Sequence, residues 1–305
     1  MSTEGSNKAI VAALGANLGI AVTKFAAFLL TSSSSMLAES IHSLADSGNQ
    51  VLLLVGGKQA KRKATEDHPF GFGRSRYLYA FIVSVVLFSV GGLFALYEAF
   101  HKWQHPEPIT EWQWVPVVVL LAAIGMEGFS FRTAIVEANP VRGSRSWVQF
   151  IRETKSPELP VVLLEDSAAL VGLVLALFGV GLTLITGDGH WDAVGTGMIG
   201  LLLVCVAIVL AIETSSLLLG EGAEPEELAA IEAALVGPGV DSVIHIRTLF
   251  VGPEELLVAA KIAVSPTELA RDVAEAIDAA ESRVRKAVPL VGLIFLEPDI
   301  ARKSL

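Results

Sequence analysis

The residues best suited to chemistry sit in one short stretch, SSSSMLAESIHSLADSGNQ, which carries Glu39, His42 and Asp46. On a helix turning about 100° per residue, His42 and Asp46 share a face one turn apart, and Glu39 joins that face one turn earlier. An imidazole and a carboxylate so spaced form half of a site for a borderline divalent ion such as zinc. A tetrahedral ion needs further donors from another segment. Glu165 and Asp166 in VVLLEDSAALVG, and Glu127 in IGMEGFSF, are the candidates. Glu165 and Asp166 are adjacent and point about 100° apart, so the spacing argues against both serving one ion.

These charges stand out because of where they lie. The chain has 305 residues, 52% hydrophobic and only 18% charged, with a mean hydropathy of +0.59. Crossing a hydrocarbon core takes about 20 apolar residues. Six stretches qualify, at roughly 9–30, 36–56, 77–100, 114–137, 161–185 and 191–213. A carboxylate at the bilayer centre costs about 2.5–3.5 kcal/mol even on the mildest scale, so such a group faces a partner or a watery path. Glu98, close to His101 and Lys102 at the end of the third stretch, reads as interfacial.

Lys and Arg concentrate in two loops. Lys58, Lys61, Arg62, Lys63, Arg74 and Arg76 follow the second span, and Arg142, Arg145, Arg152 and Lys155 follow the fourth. The bias predicts both termini on the cytoplasmic side. The first group also suits anionic lipid headgroups. After Glu213 the composition turns polar, which predicts a six-helix membrane domain over 1–217 and a soluble domain over 218–305. The tail reads helix, strand, strand, helix, strand: a two-layer, ferredoxin-like α+β domain with antiparallel strands. Ser265-Pro266-Thr267-Glu268 has the pattern of a capped helix start.

Several classes drop out. A net charge of -10 opposes nucleic-acid binding, which needs a basic face. Cys205 is the single cysteine, so disulfides and thiolate metal sites are not expected. His42 is not followed by Glu, so the HExxH motif of a membrane metalloprotease is missing and no enzyme is expected. The N-terminus lacks the pattern of a cleaved signal peptide.

The helix-two stretch, the HPFGFGRSR loop after it and the layout of six spans plus an α+β tail together resemble the cation diffusion facilitator family. The branch that includes the mitochondrial zinc exporter is similar in its VVLLEDSAALVG and GMEGFS segments. The resemblance implies a homodimer that exchanges zinc or a related divalent ion for protons, with a transport site between spans two and five. It assigns His42, Asp46 and Asp166 as metal ligands. The family's helix-five motif has a further ligand four positions before Asp166, where this chain has Val162. Glu127, Glu165 or water is the expected replacement. Glu39 and His68 are expected on the access or proton path, His68 also as a structural residue opening its turn. With His245 as its one histidine, the tail is expected to serve dimerisation rather than a tight metal site.

Zinc is the first expectation for the transported ion, with manganese, iron and cobalt next. A metal-responsive regulator without transport is the alternative. A bacterial inner membrane is the expected location, because an organellar protein usually brings a longer presequence.

Overall fold

The computed structural model describes residues 3–31, 34–106 and 112–301, with the side chains of 3–5, 30–31, 34–39 and 41 outside that description. The tight link between the first two spans falls partly at 32–33, outside the described residues, and so does the side chain of Glu39. The chain divides into two compact units. One holds the long helices; the other joins the loop 59–75 to everything after Ser215.

In the helical unit, α1 spans Thr3–Thr31, α2 Ser34–Ala60, α3 Ser75–Gln104 and α4 Trp114–Arg142. A short α5, Trp147–Glu153, precedes α6, Glu158–Thr186, and α7, His190–Leu219. Among the described residues, all of these long helices except α2 are apolar enough to cross a membrane. At 27 residues α2 has the length, about 40 Å at 1.5 Å per residue. Its hydropathy is lowered by Glu39, His42, Asp46, Asn49 and Gln50, the residues that make it interesting. Large apolar side chains on the outer faces stay exposed, among them Val22, Leu121, Phe178 and Leu201, as lipid-facing helices require.

Packing within this unit is close. α4 lies against α1 and α6, and α1 also meets α6, around a core that includes Ile10, Leu53, Ala134, Phe150 and Leu210. α3 is not uniform: Leu87–Leu93 is a π-helical segment. Two glycines lie in it. A Cβ on Gly92 would lie 2.6 Å from Val204 of α7, and one on Gly91 would lie 3.7 Å from the His42 imidazole. The close approach is therefore that of Gly92 to α7, while at Gly91 a Cβ would make only ordinary contact with the imidazole; π-segments are common near functional sites.

In the other unit, α8 spans Pro225–Leu235, β1 Ser242–Gly252, β2 Glu255–Ala263, α9 Ala270–Ala287 and β3 Val291–Asp299. The αββαβ order stands as expected, with strands in the order β1-β2-β3. Their directions differ from the expectation. β1 and β2 are antiparallel, joined across Gly252↔Glu255, but β2 and β3 are parallel. The helical connection α9 returns the chain to the starting edge, which is the geometry that makes parallel neighbours. Leu256, Val258, Ala260 and Ile262 alternate into a core shared with Ile231, Leu235, Ala280 and Val284 of the helices.

The start of α9 also differs. Ser265-Pro266-Thr267-Glu268 closes a turn in which the Glu268 amide donates to the Ser265 carbonyl at 3.2 Å, and the helix begins at Ala270 without a side-chain cap. The capping box falls instead on Glu224 and Glu227, with Pro225 at the first turn of α8.

Gly92→Leu should overpack the α3–α7 contact at a cost of about 1–3 kcal/mol. Thermal denaturation in detergent is expected to register the loss as a lower midpoint, and an unchanged midpoint would contradict the close approach.

Candidate cation site

A cavity of about 110 Å³ opens inside the helical unit, and its walls include His42 and Asp46 of α2, Glu127 of α4 and Glu165 of α6. The helical phase of α2 does what the spacing promised. His42 Nε2 stands 3.7 Å from Asp46 Oδ2, both side chains about one-quarter exposed. This partial exposure leaves the pair accessible, while the carboxylates opposite are buried.

Glu127 and Asp166 lie within electrostatic reach of one another. Ser130 Oγ, one turn along α4 from Glu127, donates to Asp166 Oδ2 at 2.7 Å. The remaining oxygens, Glu127 Oε2 and Asp166 Oδ1, are buried with no hydrogen-bond partner. Two carboxyl groups so placed call for a shared positive charge between them, either a proton or a cation.

Glu165 is held differently. Its Oε1 accepts from Asn49 Nδ2 at 2.9 Å and its Oε2 from Gln50 Nε2 at 2.6 Å. Both oxygens are therefore committed to amides one turn beyond Asp46 on α2, and Glu165 ties α6 to α2. It faces the cavity wall, and Asp166, 1% exposed, sits behind it against α4. The divergence of about 100° expected of adjacent helical residues fits these different surroundings. Val162, at the position where the family places a ligand, is fully buried among apolar residues.

The donors come as two pairs, His42 with Asp46 and Glu127 with Asp166. Among the described residues no three His, Cys, Asp or Glu side chains converge as one ion would need. Asp46 nonetheless lies within electrostatic reach of Glu127, Glu165 and Asp166.

His68 is not among the cavity residues. It belongs to the other unit, where its ring stacks on Phe72 at 4.5 Å and its backbone pairs with Thr65. Arg62 lies over the same Phe72 ring. His245 is exposed on β1, and Lys261 pairs with Glu297 and Asp299 at 3.0 and 3.1 Å.

Sequence reasoning missed the supporting cast. Asn49, Gln50 and Ser130 carry no anomaly of charge and gave no signal. Lys24 of α1 did: a lysine inside an apolar span is as costly as a carboxylate, and it lines the cavity, 5% exposed. Glu98 lines it as well, paired with Lys102 at 3.5 Å, and Lys102 also reaches Asp192 at 3.0 Å. Elsewhere in this unit Arg76 of α3 makes a buried ion pair with Glu158 of α6.

Residues 10–219 match the model of the cation efflux transmembrane domain. The chain belongs to the cation efflux family, as a multi-pass membrane protein. It is 31% identical over 268 residues to the proton-coupled zinc antiporter SLC30A9, mitochondrial, of Xenopus laevis, covering 86% of this chain and 47% of that protein. The Homo sapiens protein of the same name is 31% identical over 252 residues, covering 82% and 44%. Metal tolerance protein C4 of Arabidopsis thaliana is 27% identical over 267 residues, covering 86% and 58%. The chain thus spans about half the length of these relatives.

Gln50→Ala removes one of the two donors to the Glu165 carboxylate. The expected cost is about 1.5–3 kcal/mol for a lost hydrogen bond to a charged group. In a double-mutant cycle with Glu165→Gln, thermal denaturation should give a clear coupling energy. Additive effects would contradict the tie between α2 and α6.

Proposed function

We propose that the chain carries divalent metal cations, zinc first, out of the cytoplasm in exchange for protons. The observation that carries the proposal is the cavity holding His42 and Asp46 opposite Glu127, with Asp166 directly behind. One imidazole with several carboxylates and no thiolate suits zinc, and tolerates iron, cobalt and manganese. The names of the animal relatives, proton-coupled zinc antiporters, support both the ion and the coupling.

In this mechanism the ion loads onto deprotonated His42 and Asp46 and draws in Glu127 and Asp166, whose unpartnered oxygens are ready acceptors. Protons and metal compete for the same atoms, so binding metal releases protons and protonation releases metal. His42 is assigned as a proton-exchanging ligand, since an imidazole nitrogen holds either a proton or a metal ion. Glu165, committed to Asn49 and Gln50, holds α6 on α2 rather than serving as the missing ligand. Glu39 is assigned to the access path, and His68 to the ordering of its own turn. We further assign both termini to the cytoplasm of a bacterium, the boundary between domains to 217/218, and the α+β tail to formation of a homodimer.

A regulator without transport is the second reading, favoured by Val162 at the position of a family ligand. Zinc flux into proteoliposomes under an imposed pH gradient separates the two. Asp46→Ala, Asp166→Ala and Glu127→Ala are each expected to lower flux at least about tenfold, the cost of losing one ligand. Undiminished flux in Asp46→Ala and Asp166→Ala would place the ion elsewhere, and no flux of any candidate metal in the unmodified chain would favour the regulator. Zinc affinity should fall steadily as pH drops from about 8 to about 5.5, because protons compete with the ion for the ligand atoms; a flat profile would contradict proton competition.

A further inference from the structure

Lys24 is the unexpected member of the cavity. Among the described lining residues it is the one Lys or Arg, set against the carboxylates Asp46, Glu98, Glu127 and Glu165. A lysine on a membrane helix usually carries its charge outward to the interface along its apolar stem. This one does the reverse. It is 5% exposed, and its Nζ donates to Ser43 Oγ of α2 at 3.2 Å. Ser43 adjoins His42 in sequence and sits one turn before Ser47, whose hydroxyl returns to the Ser43 carbonyl at 3.0 Å. Ser40 Oγ, a turn earlier, donates to the Ala21 carbonyl at 2.9 Å. Two hydrogen bonds from the same turns of α1 and α2 therefore fix the lysine's approach. Glu127 lies within electrostatic reach of the ammonium.

A fixed positive charge in a path for cations needs a reason, because it repels the cargo. The carboxylates supply one: without a counter-charge, several of them in a water-poor cavity repel one another. We propose that Lys24 is the resident counter-cation of this cavity, standing in for the transported ion when none is bound and opposing that ion when it enters. The inference rests on the transport function proposed above and adds a residue the ligand set does not contain. Lys24 does not coordinate the metal; it sets how tightly the carboxylates hold it. Lys24 keeps the affinity low enough for release, and its charge balances the cavity between one load and the next.

The test is zinc binding to the purified full-length chain by isothermal titration, with flux in proteoliposomes alongside. Lys24→Gln removes the charge and retains a donor for Ser43. Lys24→Met removes both. Both are expected to bind zinc about tenfold or more tightly, as loss of a nearby repulsive charge in a low-dielectric site requires, and to transport it more slowly. Lys24→Arg should return the affinity toward that of the unmodified chain, which a merely structural lysine would not demand. Lys24→Gln combined with Glu127→Gln preserves the cavity's net charge and guards against misfolding; it should bind more tightly than Glu127→Gln alone. Neutral variants that melt like the unmodified chain yet bind zinc equally or more weakly would overturn the inference, as would a double variant no tighter than Glu127→Gln. An unmodified chain that binds none of zinc, iron, cobalt or manganese would instead contradict the transport function itself.

Discussion

The structure depends on compensating carboxylates that water cannot reach. A buried, unpaired carboxylate is far too costly to persist, so each buried acidic group dictates something about its neighbours. Glu165 takes two amides from α2. Asp166 takes a hydroxyl from α4 and shares its surroundings with Glu127. These contacts are also polar ties, joining α6 to α2 and α6 to α4. Under the proposed function, stability and cation handling would draw on the same side chains.

That coupling explains the unequal state of the acids. Glu165 is saturated, whereas Glu127 and Asp166 each retain one unpartnered oxygen. A saturated carboxylate has little to gain from a metal ion; an unsatisfied one has much. Opposite them His42 and Asp46 keep some exposure. The arrangement has the character of an open half-site facing an expectant pair, suited to an ion that must leave as readily as it arrives.

Much of this was legible in the sequence, for one reason: charge in an apolar stretch is an energetic anomaly visible without coordinates. His42, Asp46, Glu127, Glu165 and Asp166 were all found that way, and the same test applied to cations would have found Lys24. The rotation of α6 was not legible. Spacing says that Glu165 and Asp166 diverge, but packing decides which one meets the cavity. Asn49 and Gln50 passed unnoticed because neutral amides on a helix are common, and their role exists only once Glu165 is placed beside them. In the tail the element order was readable from periodicity, while the parallel pairing of β2 with β3 and the start of α9 at Ala270 depend on tertiary contacts and turn geometry.

The most direct test of the central claim, that the cargo binds at His42 and the facing carboxylates, is X-ray absorption at the zinc edge of the purified, zinc-loaded chain. A shell of oxygen donors with one imidazole and no sulfur is predicted, with the imidazole contribution vanishing in His42→Ala. A spectrum containing sulfur, or one unchanged by His42→Ala, would contradict the claim and move the ion to another part of the molecule.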